Sequence, residues 1–227
     1  MIKMKKKYLL LWIFPLFLIL SACTEYQADV GYQISGKEFV AEGGADGISI
    51  IYPIVSRMDD PELQNKVNWL LYESAVGYYL NMEYYNITEG LSVHANYEVI
   101  YKDDDRLSVV FSGEPYVDRA AHPFWDYRAT NIDLTTGEVI YLEDIISYTW
   151  LRQCFDMGEV EFISGIKEIY DISEGIDWCN SYINSPFVYG DDMHMYDYYF
   201  DNQKIYLIVR VPHPYGDYIV MGVDLPK

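Results

Sequence analysis

The side chains able to do chemistry are few and scattered. Four histidines stand at His94, His122, His194 and His213, and none has a second histidine or cysteine at metal-ligand spacing. The densest donor run, Asp191-Asp192-Met193-His194, reads as an exposed loop. Asp103-Asp104-Asp105 lacks the alternating ligands, central glycine and distal glutamate of a calcium loop, so it reads as a solvated turn. Ser164-Gly165-Ile166-Lys167 matches the Ser-x-x-Lys of penicillin-binding enzymes, but the Ser-Asp-Asn and Lys-Thr-Gly elements are missing. Carboxylate pairs recur throughout a chain with 35 acidic residues, so they cannot single out a glycosidase. The chain carries no serine-hydrolase elbow, metalloprotease helix, phosphate loop or dinucleotide fingerprint. No catalytic residue, metal or cofactor is expected.

Cys23 has a definite chemical assignment. Lys3, Lys5, Lys6 and Lys7 precede an apolar run of 13 residues, 8–20, broken only by Pro15. A spanning helix needs about 20 apolar residues, so the run fits the core of a signal peptide instead. Leu20-Ser21-Ala22-Cys23 then resembles the lipobox read by lipoprotein signal peptidase. Small residues let the peptidase reach the backbone, and the thiol takes the diacylglycerol. Residues 1–22 are expected to be removed and Cys23 lipidated. Residues 23–33 would then tether the chain to the outer face of the cell membrane.

The leader holds four of the 16 basic residues and no acid, so the mature chain sets 12 basic residues against 35 acidic ones, a net charge of −23. Nucleic acid is excluded as a partner, because its phosphates need neutralising by lysine and arginine. An anionic membrane surface is disfavoured for the same reason. A cationic partner is favoured. Beyond Cys23, Cys154 and Cys179 remain, 25 positions apart. In an oxidising compartment a disulfide between them would contribute about 3–4 kcal/mol; the other reading is two buried thiols.

These residues need elements to place them. Runs at 32–41 and 48–55 alternate like strands around the glycine-rich turn 43–47. A helix opens at Asp59-Asp60-Pro61-Glu62, with Asp59 and Glu62 spaced as a capping box. Leu63, Val67, Leu70, Leu71, Ser74, Tyr78 and Met82 then recur on one face. A hairpin follows, 93–101 with 107–113, then strands at 127–134 and 139–142 joined by Thr135-Thr136-Gly137-Glu138. A second helical region is expected at 150–170, and strands at 196–200, 205–211 and 218–225 end the chain. The expected fold is α+β: an antiparallel sheet with helices packed on one face. It forms a single compact domain over 34–225, with sequence halves 34–115 and 116–225.

The composition is unusual in its 24 tyrosines. Tyrosine offers large contact area with a hydroxyl at modest entropic cost, so it suits recognition surfaces. Most are expected to be half-buried strand residues. Two inter-strand loops, 119–125 and 212–218, mix proline, histidine and aromatic residues and are the candidate contact segments. Their candidate binding residues are Arg119, His122, Pro123, Phe124, Trp125, His213 and Tyr215.

Ala121-His122-Pro123, then Thr130-Asn131-Ile132-Asp133-Leu134-Thr135-Thr136-Gly137-Glu138 and Leu142-Glu143-Asp144-Ile145, resemble the C-terminal half of an extracytoplasmic domain family. That family includes the sensor region of lysozyme-responsive anti-sigma-V factors and the accessory domain of some peptidoglycan deacetylases. Ile51-Tyr52-Pro53-Ile54, Val67-Asn68 and Leu107-Ser108-Val109 resemble its N-terminal half. Family members usually carry Gly-Gly-Ala-His-Pro, where this chain has Arg119-Ala120-Ala121-His122-Pro123. With neither a cytoplasmic segment nor a deacetylase domain expected, the resemblance implies a lipid-anchored binding module without catalysis. Its partner would be a cationic protein such as lysozyme, or a cell-wall glycan. The alternatives are a peptidoglycan-modifying enzyme or accessory protein, and a purely structural envelope lipoprotein.

Overall fold

The computed structural model describes residues 31–81, 90–164, 197–210, 213 and 216–226. The leader, Cys23, Met82, Cys179, the run 191–194 and Tyr215 lie outside them. Strands β1 (Gln33–Ala41) and β2 (Ile48–Ser56) pair antiparallel along their full length. Helix α1 (Pro61–Tyr72) follows, continued by a π turn (Glu73–Gly77) and a short α2 (Tyr78–Asn81). The N-cap is Asp60, not Asp59: its carboxylate accepts from the N–H groups of Glu62 and Leu63, and Pro61 occupies the first turn. Asn68 docks the helix by donating to the carbonyl of Val55 (2.8 Å) and accepting from its N–H (2.6 Å).

The π turn alters the expected helix face. Val67 and Leu71 are buried as the spacing predicts, but the buried set continues through Ala75, Val76 and Tyr79. Ser74 and Tyr78 are only half-buried. A π turn bonds residue i to i+5 and so accommodates an extra residue, which rotates the apolar stripe by one position. Leu70, placed in the stripe by spacing alone, is half-buried against the core, while Leu71 is fully buried.

Strands β3 (Leu91–Lys102) and β4 (Arg106–Gly113) form the expected hairpin, turned by Asp103. The Asp103 carboxylate accepts from the N–H groups of Asp105 (2.9 Å) and Arg106 (2.6 Å) and from the Tyr101 hydroxyl. Short β5 (Tyr116–Val117) pairs with β3; β6 (Asp126–Asp133) pairs with β4, and β7 (Glu138–Val139) with β6. The first sheet runs β1-β2-β3-β4-β6-β7. Its pairs are antiparallel except β2 with β3, where the helical crossover returns the chain in the same direction over Ile48–Ile50 and Val93–Ala95.

After α3 (Leu142–Ile145), helix α4 covers Tyr148–Met157, capped at its start by the Ser147 hydroxyl. It stops well short of the expected 170. Gly158 takes φ 70°, its N–H reaches the carbonyl of Phe155, and the chain turns into strand β8 (Val160–Ser164). With β9 (Asp197–Phe200), β10 (Lys204–Arg210) and β11 (Tyr218–Asp224) it forms a second sheet, ordered β8-β11-β10-β9.

The alternation of the strands defines four layers. One face of the first sheet, with Ile50, Val93, Val109, Phe111 and Ile132, packs on α1 and the π turn. One face of the second sheet, with Phe200, Leu207, Val209, Met221 and Val223, packs on α3 and α4. The remaining faces meet through Val110, Tyr199, Ile208 and Val220, flanked by Tyr127 and Tyr218. The fold is α+β and a single compact domain, built as helix, sheet, sheet, helix. Several tyrosines are structural: Tyr127 stacks on Tyr218 (4.6 Å) and Tyr199 on Tyr206 (4.7 Å) between the sheets. Cys154 is a buried free thiol on α4, and burial raises its pKa. Cys179, its partner in one of the two readings, lies outside the described residues.

Candidate functional site

The loop that leads into β6 and the loop that leads into β11 converge. The rings of His122 and His213, 91 positions apart, stack at 3.4 Å and nearly parallel, at 8°. The His213 Nδ1 lies 3.0 Å from the Asp217 carboxylate, which also accepts the backbone N–H of Trp125 at 2.8 Å. Asp217 thus joins both loops. It does so with φ 70°, in the left-handed region that aspartate tolerates better than most residues. Gly216, at φ 95°, donates to the His213 carbonyl and tightens the same turn.

The first loop is tied down independently. Ala120 donates to the Val117 carbonyl, the Tyr116 hydroxyl to the Ala120 carbonyl, and Phe124 to the Pro115 carbonyl. Arg119 sits exposed at its tip with φ 74°. His122 and Pro123 are exposed, and Phe124 is half-buried. Trp125 remains 52% exposed. It forms one wall of a groove of about 490 Å³ whose floor carries Ile51, His94, Asn96, Ser112 and Glu114. These floor residues alternate with the core-facing ones on β2, β3 and β4. An exposed indole above hydrogen-bonding side chains offers a π face and polar partners together, a combination suited to contact with a ligand.

One residue further on, Asp126 turns inward. Its carboxylate is fully buried and accepts from Arg128 Nε (2.6 Å), Arg210 Nη2 (3.0 Å) and the Tyr79 hydroxyl (2.8 Å). Arg128 also donates to the Ser74 carbonyl in the π turn, and its guanidinium lies 3.4 Å above the Tyr78 ring. Burial, with Asp126 beside it, drives the Tyr79 hydroxyl well above the ordinary tyrosine range. The cluster ties β6, β10 and the π turn together.

The structure therefore brings together His122, Pro123, Phe124 and Trp125 with His213. Asp217, which holds them, carries no signal in the sequence beyond standing in the loop. Asp126 and Arg128 were missed: the expected strand began at 127, whereas β6 begins at Asp126 and sets the two charges on one face. Among the described residues no group of three or more His, Cys, Asp or Glu side chains is placed to hold a metal ion, and no helix is long and apolar enough to cross a membrane.

These features define an α+β domain of two packed sheets with a surface groove beside a loop clasp. No family model matches the chain, and no curated protein does. Among solved structures it is similar to a DUF3298-family protein of Bacteroides fragilis, at 12% identity and TM-score 0.46, over 86% of this chain and 89% of that one. A DUF3298-family protein of Pseudomonas aeruginosa is similar at 11% identity and TM-score 0.47, again over 86% and 89%.

Proposed function

We propose that this chain is a lipid-anchored, non-catalytic binding module of the cell envelope that engages a cationic protein through the joined loops. The observation that carries this reading is the convergence of loop 119–125 with His213 and Asp217, with Trp125 left half exposed beside them. Aromatic side chains held on a rigid frame supply contact area at low entropic cost. Leu20 to Cys23 supports the anchor, and the mature charge of −23 supports a cationic partner.

Lysozyme is the first partner to test. Titrated against the full chain, it should bind, with an association rate that falls as salt rises and a dissociation rate that changes little. Trp125→Ala should speed dissociation about tenfold or more. Absence of binding at about 50 micromolar in low salt removes lysozyme as the partner. Cys23→Ser should abolish lipid labelling and leave an unprocessed precursor; normal maturation of that variant would overturn the anchor.

A further inference from the structure

A second cavity, of about 520 Å³, opens beside the π turn, away from the residues of the loop clasp. Its walls include Glu73, Tyr78, Asn81, Arg128, Thr130 and Asp197. We propose that this cavity binds a free carboxylate carried by an amino acid or by the end of a short peptide, with Arg128 as its anchor. The site is independent of the loops and of whatever ligand they take.

Arg128 is only 6% exposed, and its guanidinium is used on two of three nitrogens: Nε by Asp126 and Nη1 by the Ser74 carbonyl. The Nη2 is buried and has no hydrogen-bond partner among the described residues. A charged donor left without an acceptor in the interior is costly, and such donors are normally satisfied. Tyr78 stacks on the guanidinium face, and Tyr79 and Phe111 lie 5.0 and 5.8 Å away. Face contacts stabilise the cation but do not accept an in-plane N–H. The charges also leave room for an anion. Arg128 and Arg210 share the single buried carboxylate of Asp126, while Asp197 lies 3.9 Å from Arg210 and its pKa is raised by burial.

The remaining wall selects among anions. Glu73, held by Asn81 at 3.4 Å, places a carboxylate in the same cavity. It would repel a doubly charged phosphate. It suits a ligand whose carboxylate lies close to an ammonium or amide N–H, as in an amino acid or peptide terminus. The Tyr78 hydroxyl is held only by two long contacts of 3.4 Å, to Asp126 and Arg210. The ring itself is held by its stack on the guanidinium at 3.4 Å and by the Tyr79 ring at 5.1 Å.

The test is an NMR titration of the full chain, following the amides of Gly77 and Ala129, with alanine, alanyl-alanine and alanyl-alaninamide. Both acids should shift these resonances, the tighter one naming the source, and the amide should bind about tenfold more weakly or worse. Arg128→Lys keeps the charge but loses the fork, and should weaken the acids by about tenfold. Should that variant lose its fold, judged by near-ultraviolet circular dichroism, Glu73→Gln carries the test. It should weaken alanine while leaving N-acetylalanine unchanged. No shift at Gly77 and Ala129 with either acid, or equal response to acid and amide, would overturn the proposal.

Discussion

Trp125 and Asp126 are neighbours in the chain, yet they serve two joints of opposite character. Both joints tie the first sheet to the second. At the buried one, Asp126 on β6 holds Arg210 on β10, and its carboxylate has no exposure at all. At the surface one, the Trp125 backbone holds Asp217 just before β11, and the stacked histidines stand open to water. The start of β6 separates them: Asp126 is the first residue of the strand and its side chain is buried, while Trp125 stays in the exposed loop before it. The difference teaches where this fold keeps its stability and where it is free to change. A buried carboxylate shared by two guanidiniums cannot be lost without stranding them. A clasp in water loses little when one contact goes, because solvent replaces it.

Breaking the buried joint should have the largest effect. Asp126→Ala would leave two guanidiniums without their shared carboxylate and should cost about 3–5 kcal/mol, read from the denaturation midpoint. A loss below about 1 kcal/mol would show that water reaches the cluster, and the contrast would collapse.

Next in size comes the helix face above that cluster. Leu71→Ala should cost about 2–5 kcal/mol, because Leu71 is fully buried against the first sheet. Leu70→Ala should cost clearly less, since Leu70 is half-buried. Equal losses at the two positions would mean that the stripe is not rotated by the π turn in solution.

At the surface joint, His213→Ala removes the ring stack and the Asp217 contact together. It should cost about 1 kcal/mol or less in stability. Its effect should appear in partner binding instead, as faster dissociation measured beside the unchanged melting curve. A large loss of stability would make the clasp a folding element rather than a recognition surface.

The smallest effect sharpens the comparison through pH. The Asp133 pKa is lowered, chiefly by the Thr135 hydroxyl, and also by the N–H groups of Thr135 and Thr136 at the turn before β7. A carboxyl lowered on folding contributes stability that is complete above its unfolded pKa and lost as pH falls through its folded one. Asp133→Asn should therefore be less stable than the parent at pH 7, and the gap should close below the ordinary carboxylate range. A gap that persists unchanged in acid would show that the hydrogen-bond geometry, not the charge, is what the turn needs.

Local patterns in the sequence determined much of this protein. The acidic balance, the turns at Asp103 and Asp133, the Pro61 helix start and nearly every strand were legible from residue type and spacing. Each depends on neighbours a few positions away. The two candidate loops were also legible, since proline, histidine and aromatics stood out between strands. Other features depended on contacts far along the chain. The burial of Ala75, Val76 and Tyr79 beyond the start of the π turn shows only once the helix lies against its sheet, whereas the Asp60 cap and the left-handed Gly158 that ends α4 are local. The division into two stacked sheets was likewise hidden, because each strand alternates in the same way whichever layer it joins. Only the tertiary structure decided that His122 meets His213 and that Asp126 faces inward to Arg128 and Arg210. Burial and pairing of a polar side chain are properties of what packs around it, and in this chain those partners lie up to 132 residues away.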